Sequence, residues 1–253
     1  LNVRKIDIFY DAKPSFIYGD KNIGKALLKG HFQNSEHNLD VGAQGDPWTL
    51  AVPSEQFARW LHSFYWLNDL AATKDKNANV RARNLVDKWI ETYGKWNFFA
   101  WSPDILSERV FNLLTVWSPL LDGDSLSKKA QIRRISVVRQ LKRLRTVYKH
   151  TSPGLHRLKA AAALAIGGAK IKEKTDAFLG RGLDWLDDEV NNQILPDGGH
   201  ISRSPEQALQ ALEILLIVDS LLFKRGVEGS RIVSRAIDRL RSVIPFFCAA
   251  DGT

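Results

Sequence analysis

At 253 residues, with 44% hydrophobic and 25% charged, the chain has a globular protein's composition and enough length for one large domain or two small ones. Its longest apolar stretch, 208–223, is broken by Gln210, Glu213 and Asp219, short of the ~18–20 apolar residues a bilayer span needs, so no membrane insertion is expected. One cysteine, Cys248, excludes an internal disulfide and a cysteine-rich zinc site, and the six histidines show no i, i+4 pairing with an acid, so neither metal nor cofactor is expected.

Methionine is absent, which reads as a fragment or a lost first residue. No leader is recognisable in the first ten positions, which carry Arg4, Lys5 and Asp7, and location stays open. Of the net charge of +8, nine bases and no acid fall between positions 128 and 149, so the excess belongs to one segment. Polyanion binding is therefore a local question about that segment.

Residues 1–53 are punctuated by Gly19, Gly24, Gly30, Gly42, Gly45, Pro14, Pro47 and Pro53. They predict an irregular lead-in with short extended pieces at 5–10 and 48–52 and no long helix. Ser54 then caps the first helix, expected to run unbroken to Ala71. On it Phe57, Trp60, Leu61, Phe64 and Ala71 share one face, while His62, Tyr65, Trp66 and Asp69 recur at i, i+3, i+4 and i+7 on another. Such a helix packs one way and lines a groove the other, where sugar C–H faces meet aromatic rings; a core stripe is the competing reading.

Further helices are expected at 78–93, 103–117 and 125–149. Ser102-Pro103-Asp104 and Asp122-Gly123-Asp124-Ser125 supply starts and turns. In the basic helix Val137, Leu141, Leu144 and Tyr148 point inward, and Arg139, Lys142, Arg143 and Lys149 face away. No nucleic-acid reader motif accompanies these bases, so they predict a solvated face and no nucleic-acid partner. His150 to Gly154 breaks the chain before an alanine-rich helix at 155–169, whose small residues permit close approach of neighbours.

A helix follows around 179–189, then a loop, then an apolar helix from 209 and a last helix over 229–244 that alternates Arg231, Arg235, Arg239 and Arg241 with Ile232, Val233, Ile237 and Leu240. Beyond Pro245 the chain runs off, with Asp251-Gly252 as a final turn. In the loop Pro196 stops one helix, Asp197-Gly198-Gly199 turns tightly, and Ser204-Pro205 caps the next, with Gln207 three residues past the cap. His200, Ser202 and Arg203 sit between these two pinned ends, a plausible seat for chemistry or an ordinary connection. About eight amphipathic helices with short links argue an all-α fold of antiparallel pairs.

The run Gln-Ile-Leu-Pro-Asp-Gly-Gly-His-Ile-Ser-Arg-Ser-Pro at 193–205 resembles the signature of the heparinase II/III-like family of bacterial polysaccharide lyases. The run at 61–70 and Asp46-Pro47-Trp48 are similar to that family too. The resemblance implies an incomplete α/α toroid over 54–253, an irregular lead-in over 1–53 packed on it, and a β-rich C-terminal domain beyond Thr253. It also implies the periplasm or cell envelope, and an acidic, uronate-containing polysaccharide cleaved by elimination in the full-length protein.

In that family a toroid Asn beside a His neutralises the substrate carboxylate, and a toroid Tyr does acid/base work. Here Gly154-Leu155-His156-Arg157-Leu158 resembles the Asn-His region, with His156 in the His position and Leu155 where Asn is expected. In the loop His200, Arg203 and Ser204 agree with the pattern, while Gln207 replaces Tyr and Ser202 replaces Glu. The resemblance thus makes His156 and His200 candidate bases or neutralisers and puts Arg203 on the carboxylate. Substrate contacts are expected from His62, Tyr65, Trp66, Asp69, Ser202 and Gln207. Leu cannot donate to a carboxylate and an amide exchanges no proton near neutrality, so a non-catalytic carbohydrate-binding or scaffold relative stays open. So does an inverting glycosidase using two of Asp104, Glu108, Asp187, Asp188, Glu189, Asp197 and Glu206.

Overall fold

Helices α5, α7 and α9 lie side by side, and each adds a run of buried apolar residues to the core (α5, Pro103–Val116; α7, Leu155–Lys170; α9, Pro205–Lys224). The computed structural model describes residues 9–11, 13–15, 18–123, 127–172 and 175–247, and of Pro119, Thr175 and Asp176 only the backbone. The expected turns at Asp124-Ser125 and Asp251-Gly252, most of the extended piece at 5–10, and Cys248 fall outside these residues. Among the described residues there are ten α-helices and one two-stranded sheet.

The others are α1 (Lys21–Lys29), α2 (Glu55–Ser63), α3 (Leu67–Ala72), α4 (Lys76–Tyr93), α6 (Lys128–Val147), α8 (Thr175–Gln193) and α10 (Arg231–Val243). Strands β1 (His31–Gln33) and β2 (Asn38–Asp40) pair antiparallel with Phe32 opposite Leu39. α3, α5, α7 and α9 touch in sequence as an inner layer. α4, α6, α8 and α10 back them, each against an inner partner, so consecutive helices form antiparallel pairs curled into an incomplete α/α toroid.

Local chemistry sets the boundaries. Ser54, Asp75, Ser127, Ser204 and Ser230 each accept a backbone N–H at the start of their helix. Pro103 and Pro205 open α5 and α9, where the missing N–H costs nothing. The alanines of α7 are fully buried, and its Gly168 meets the Leu179 backbone of α8, which lets these two helices approach closely. Among the described residues no helix is long and apolar enough to cross a membrane.

Three expectations are corrected. The helix from Ser54 does not run on to Ala71: α2 ends at Phe64, whose φ is +60°, and helix resumes as α3 at Leu67. Phe64 is held there by edge contacts to Trp66 and Trp89, and the Trp66 Nε1–H donates to the Leu61 carbonyl at the break. The single aromatic-polar face over 62–69 therefore does not exist. The lead-in is also more regular than its glycines suggested. Asp20 caps α1 through Asn22 N and Ile23 N, Gly30 ends it at φ +94°, and the hairpin follows. Residues 48–52 form turns rather than a strand, with Trp48 buried and its Nε1–H donating to the Leu85 carbonyl at 2.9 Å.

The basic helix α6 is only partly a solvated face. Arg139, Arg143 and Lys149 are exposed, but Arg133 and Arg134 are buried. Arg133 pairs with Asp87 at 2.8 and 2.9 Å, and Arg134 with Asp122 at 2.8 Å, tying α6 to α4 and to the turn after α5.

Candidate functional site

The inner helices leave a groove in the hollow. Asn68 of α3, Phe111, Asn112 and Thr115 of α5, Lys159 of α7, and Gln210, Glu213, Ile214 and Ile217 of α9 line a narrow section of about 180 Å³. Tyr18 and Tyr65 complete it and also line a wider section of about 830 Å³, with Gly19, Asp20, Ile23, Gln33, Asn34, Ser35, Gln56, Trp60 and Asp69. The two tyrosines thus join both sections, and their side chains are 39% and 47% exposed. Large, half-exposed rings in a concave, mixed-polarity channel match the composition of ligand sites.

Tyr65 reaches the groove because of the break between α2 and α3. Its neighbours turn inward: the Asn68 Nδ2–H donates to the Tyr65 carbonyl at 3.0 Å and to Asn112 Oδ1 at 3.3 Å, and Asn112 Nδ2 donates to the Ser63 carbonyl at 2.9 Å. Both amides are therefore engaged in holding the break.

Lys159 Nζ lies 3.1 Å from Glu108 Oε1, and His156 Nδ1 lies 3.5 Å from the same oxygen, without hydrogen-bond alignment. Burial raises the Glu213 carboxyl, with Lys159 opposing. Burial raises the Tyr65 phenol, and the carboxylates of Asp69, Glu213 and Glu108 raise it further; Tyr18 is raised by burial and Glu213. Both phenols therefore keep their protons and offer donors rather than bases. Burial lifts the Asp69 carboxyl to about 6 against the hydrogen bond it accepts from Asp20 N.

The loop at 193–205 turns and caps as expected, but its side chains do not line the groove. Ile194 and His200 form an antiparallel bridge, Gly198 takes φ +84° against the Arg239 carbonyl, and Asp197 Oδ1 accepts from Gly199 N at 2.9 Å. His200 is 2% exposed, with Nδ1 2.7 Å from Ser202 Oγ and Nε2 3.2 Å from Gln193 Oε1. Gln193 Nε2 donates onward to Glu189 Oε2 at 2.8 Å and to the Gly154 carbonyl at 3.1 Å; Glu189 Oε1 accepts from Tyr148 OH at 3.1 Å. Arg203, at φ +58°, points to solvent and pairs with Asp197 at 3.3 Å. The loop lines a separate cavity of about 170 Å³ with Val243 and Phe247.

Of the residues named from sequence, Tyr65 and Asp69 line the groove. His156 stands beside it, half-exposed, sharing Glu108 with Lys159. His62 and Trp66 are core: the Trp89 Nε1–H donates to His62 Nδ1 at 3.0 Å, and Trp66 is fully buried. His200, Ser202, Arg203 and Gln207 line neither section of the groove. Of the carboxylates weighed for hydrolysis, Asp104 is spent on Ser152 (2.6 and 2.7 Å), and Glu189 is buried in the Tyr148 network. Tyr18, Asn112, Lys159 and Glu213 were missed. Glu213 and Asn112 carried a signal, each being a polar residue inside an apolar helical run.

No protein-family model matches the chain. It is 35% identical over 230 residues to FtsZ-localized protein C of Caulobacter vibrioides, covering 90% of this chain and 39% of that protein. Among solved structures it is similar to the heparan sulfate lyase HepC of Pedobacter heparinus, at 20% identity with a TM-score of 0.67 over 99% of this chain and 42% of that one. A heparinase III structure matches at 16% identity with a TM-score of 0.69, over 98% of this chain and 42% of that one. The chain thus spans about two fifths of the length of each protein it matches. With its helix pairs stacked in an inner and an outer layer, the chain has the helical-toroid fold found in these heparan sulfate lyase and heparinase III structures.

Proposed function

We propose that the groove in the hollow binds a polysaccharide chain and that this part of the protein holds the polymer without cleaving it by elimination. The observation that carries the reading is the pair of half-exposed rings, Tyr18 and Tyr65, where the two sections join. Rings at that point offer π-faces to successive sugars, and Lys159, Glu213, Asp69 and the phenols offer hydrogen bonds to hydroxyls. The shared fold with heparan sulfate lyases supports a polysaccharide as the ligand class.

Several features weigh against elimination here. Leu155 and Gln207 stand where the resemblance asks for Asn and Tyr, and His200 is sealed under its own loop. The one base lining the groove among the described residues, Lys159, already faces Glu108, so a uronate carboxylate finds little free positive charge.

Affinity electrophoresis against neutral, amino-bearing and uronate polymers tests the reading, with ultraviolet absorbance followed for the new C=C bond. Retardation by at least one polymer, reduced about tenfold by Tyr65→Ala, with a flat absorbance trace, is the expected result; a ring stacked on a sugar is worth an amount of that order. Rising absorbance would restore the lyase reading, and no retardation by any polymer would remove the polysaccharide.

The Caulobacter relative, at 35% identity, favours a second reading in which the chain associates with FtsZ. Co-sedimentation with FtsZ checks it, and a chain that stays wholly in the supernatant excludes it.

A further inference from the structure

The wide section of the groove has an unusual charge pattern. Among the described residues, every charged side chain lining it is a carboxylate, Asp20 or Asp69, and no base lines it. Asp69 is 5% exposed. Its Oδ1 accepts from Asp20 N at 2.8 Å, and Oδ2 has no hydrogen-bond partner among the described residues. Asp20 Oδ1 is spent on Asn22 N and Ile23 N, at 2.6 and 3.2 Å, which likewise leaves its second oxygen. The apolar wall is aromatic: Trp60, Tyr65 and Tyr18.

A carboxylate buried beside aromatic rings and facing an open cavity carries a desolvation cost that the single hydrogen bond from Asp20 N offsets only in part, and no base lines the cavity to balance the rest. An anionic sugar would add repulsion to that cost. A neutral hydroxyl would satisfy hydrogen bonds and leave the charge unbalanced. A cation offsets it, and aromatic faces add a favourable quadrupole interaction.

We propose that the wide section recognises a protonated amino-sugar unit of the bound polysaccharide, with its ammonium between Asp69 and Asp20 and its ring against Tyr65 and Trp60. This rests on the polysaccharide reading of the same groove and names the chemical class of its ligand. The ionised groups meeting the ammonium would be Asp69 of α3 and Asp20 before α1, with the Tyr18 and Tyr65 phenols protonated. Since Asp69 titrates near 6, preference for the amine is strongest above that pH and weakens below it.

Calorimetric titration with glucosamine oligomers and with fully N-acetylated oligomers of the same length, at pH 7 and pH 5, provides the test. The deacetylated oligomer is expected to bind at least tenfold tighter at pH 7, with the ratio shrinking at pH 5. Asp69→Asn, which keeps an acceptor for Asp20 N, is expected to bring the pH 7 ratio below twofold. Asp20→Asn, which retains a competent helix cap, is expected to lower the same ratio and serves if the first variant fails to fold. Equal binding of both oligomers by the unaltered chain overturns the amine assignment and leaves the polysaccharide reading standing. Binding of neither overturns both.

Discussion

His200 Nε2 lies 3.2 Å from Gln193 Oε1, and through that contact the loop at 193–205 is sewn to the last turn of α8. From Gln193 the chain of polar contacts continues to Glu189 and Tyr148, whose ring stacks on Trp185 at 3.8 Å. A histidine so enclosed works for the fold. Truncation leaves the buried Gln193 Oε1 short of a partner and frees the exposed Ser202 hydroxyl. His200→Ala is therefore expected to cost about 1–3 kcal/mol of stability, the usual penalty for an unsatisfied buried polar group. Polymer affinity should be unchanged, because the groove lies elsewhere. Urea unfolding alongside affinity electrophoresis checks this; lost affinity at unchanged stability would return His200 to the site.

Acid should destabilise the fold partly through His62. Burial lowers its pKa from 6.5 to about 3, with the nearby Arg109 charge adding to the effect. The folded state therefore binds the proton less readily than the unfolded chain. The stabilising contribution of neutral His62 is complete above pH 6.5 and drains away as pH falls from 6.5 toward 3. His200, also lowered by burial, acts in the same direction. Asp69 opposes them: its raised carboxyl contributes stability that is full below 3.8 and lost as pH rises through about 6. His62→Gln keeps an acceptor for the Trp89 Nε1–H and removes one titration. Melting temperature plotted from pH 7 to pH 4 should fall less steeply in that variant; parallel curves would refute the assignment.

Arg109 is a buried hub. Its Nε donates to Gln140 Oε1 at 2.7 Å, and one terminal nitrogen donates to the Ala100 and His62 carbonyls at 2.7 and 3.2 Å. Its guanidinium lies 4.4 Å from the Trp89 ring centroid. Burial lowers its pKa to about 9, which leaves it charged at neutral pH. Arg109→Met strands three acceptors from three separate segments. The expected loss is about 3 kcal/mol or more, from per-group penalties of about 1–3 kcal/mol. Arg109→Lys should recover little, because a single ammonium cannot span acceptors that a planar fork reaches. Thermal unfolding of the two variants separates these outcomes, and near-wild-type stability of Arg109→Lys would sink the fork argument.

Helix starts were legible because their signals are local: a Ser or Asp cap, a proline at the first position, apolar residues at helical spacing. The break at Phe64 was not, because nothing in the sequence forbids helix there. A left-handed phenylalanine is stabilised here by rings brought from α4, from Trp48 of the lead-in and from Trp66 just beyond it, which is tertiary override of propensity. That one break decides the site, since it turns His62 and Trp66 inward and leaves Tyr65 at the groove. The loop at 193–205 was legible as a turn and misleading as chemistry: Gly198 and Asp197 shape a tight connection whatever His200 does. Glu213 announced itself as a charge inside an apolar helix, but its partner Lys159 lies 54 residues earlier and only the inner layer brings them together.

Gly182 of α8 tests how close the inner and outer layers lie. A Cβ there would run into the backbone nitrogen of Ala165 on α7, a contact with no flexible side chain to give way. Alanine is the better helix former by about 1 kcal/mol, so propensity alone predicts that Gly182→Ala stabilises. Overpacking against a backbone costs about 1–3 kcal/mol and should win, giving a net loss. Gly180 supplies the control, since it lies on the same helix and a Cβ there meets nothing within 4 Å. Gly180→Ala should raise the melting temperature while Gly182→Ala lowers it. Stabilisation by both would mean that α7 and α8 stand further apart than this packing requires, and the close seating of the alanine-rich helix would fall with it.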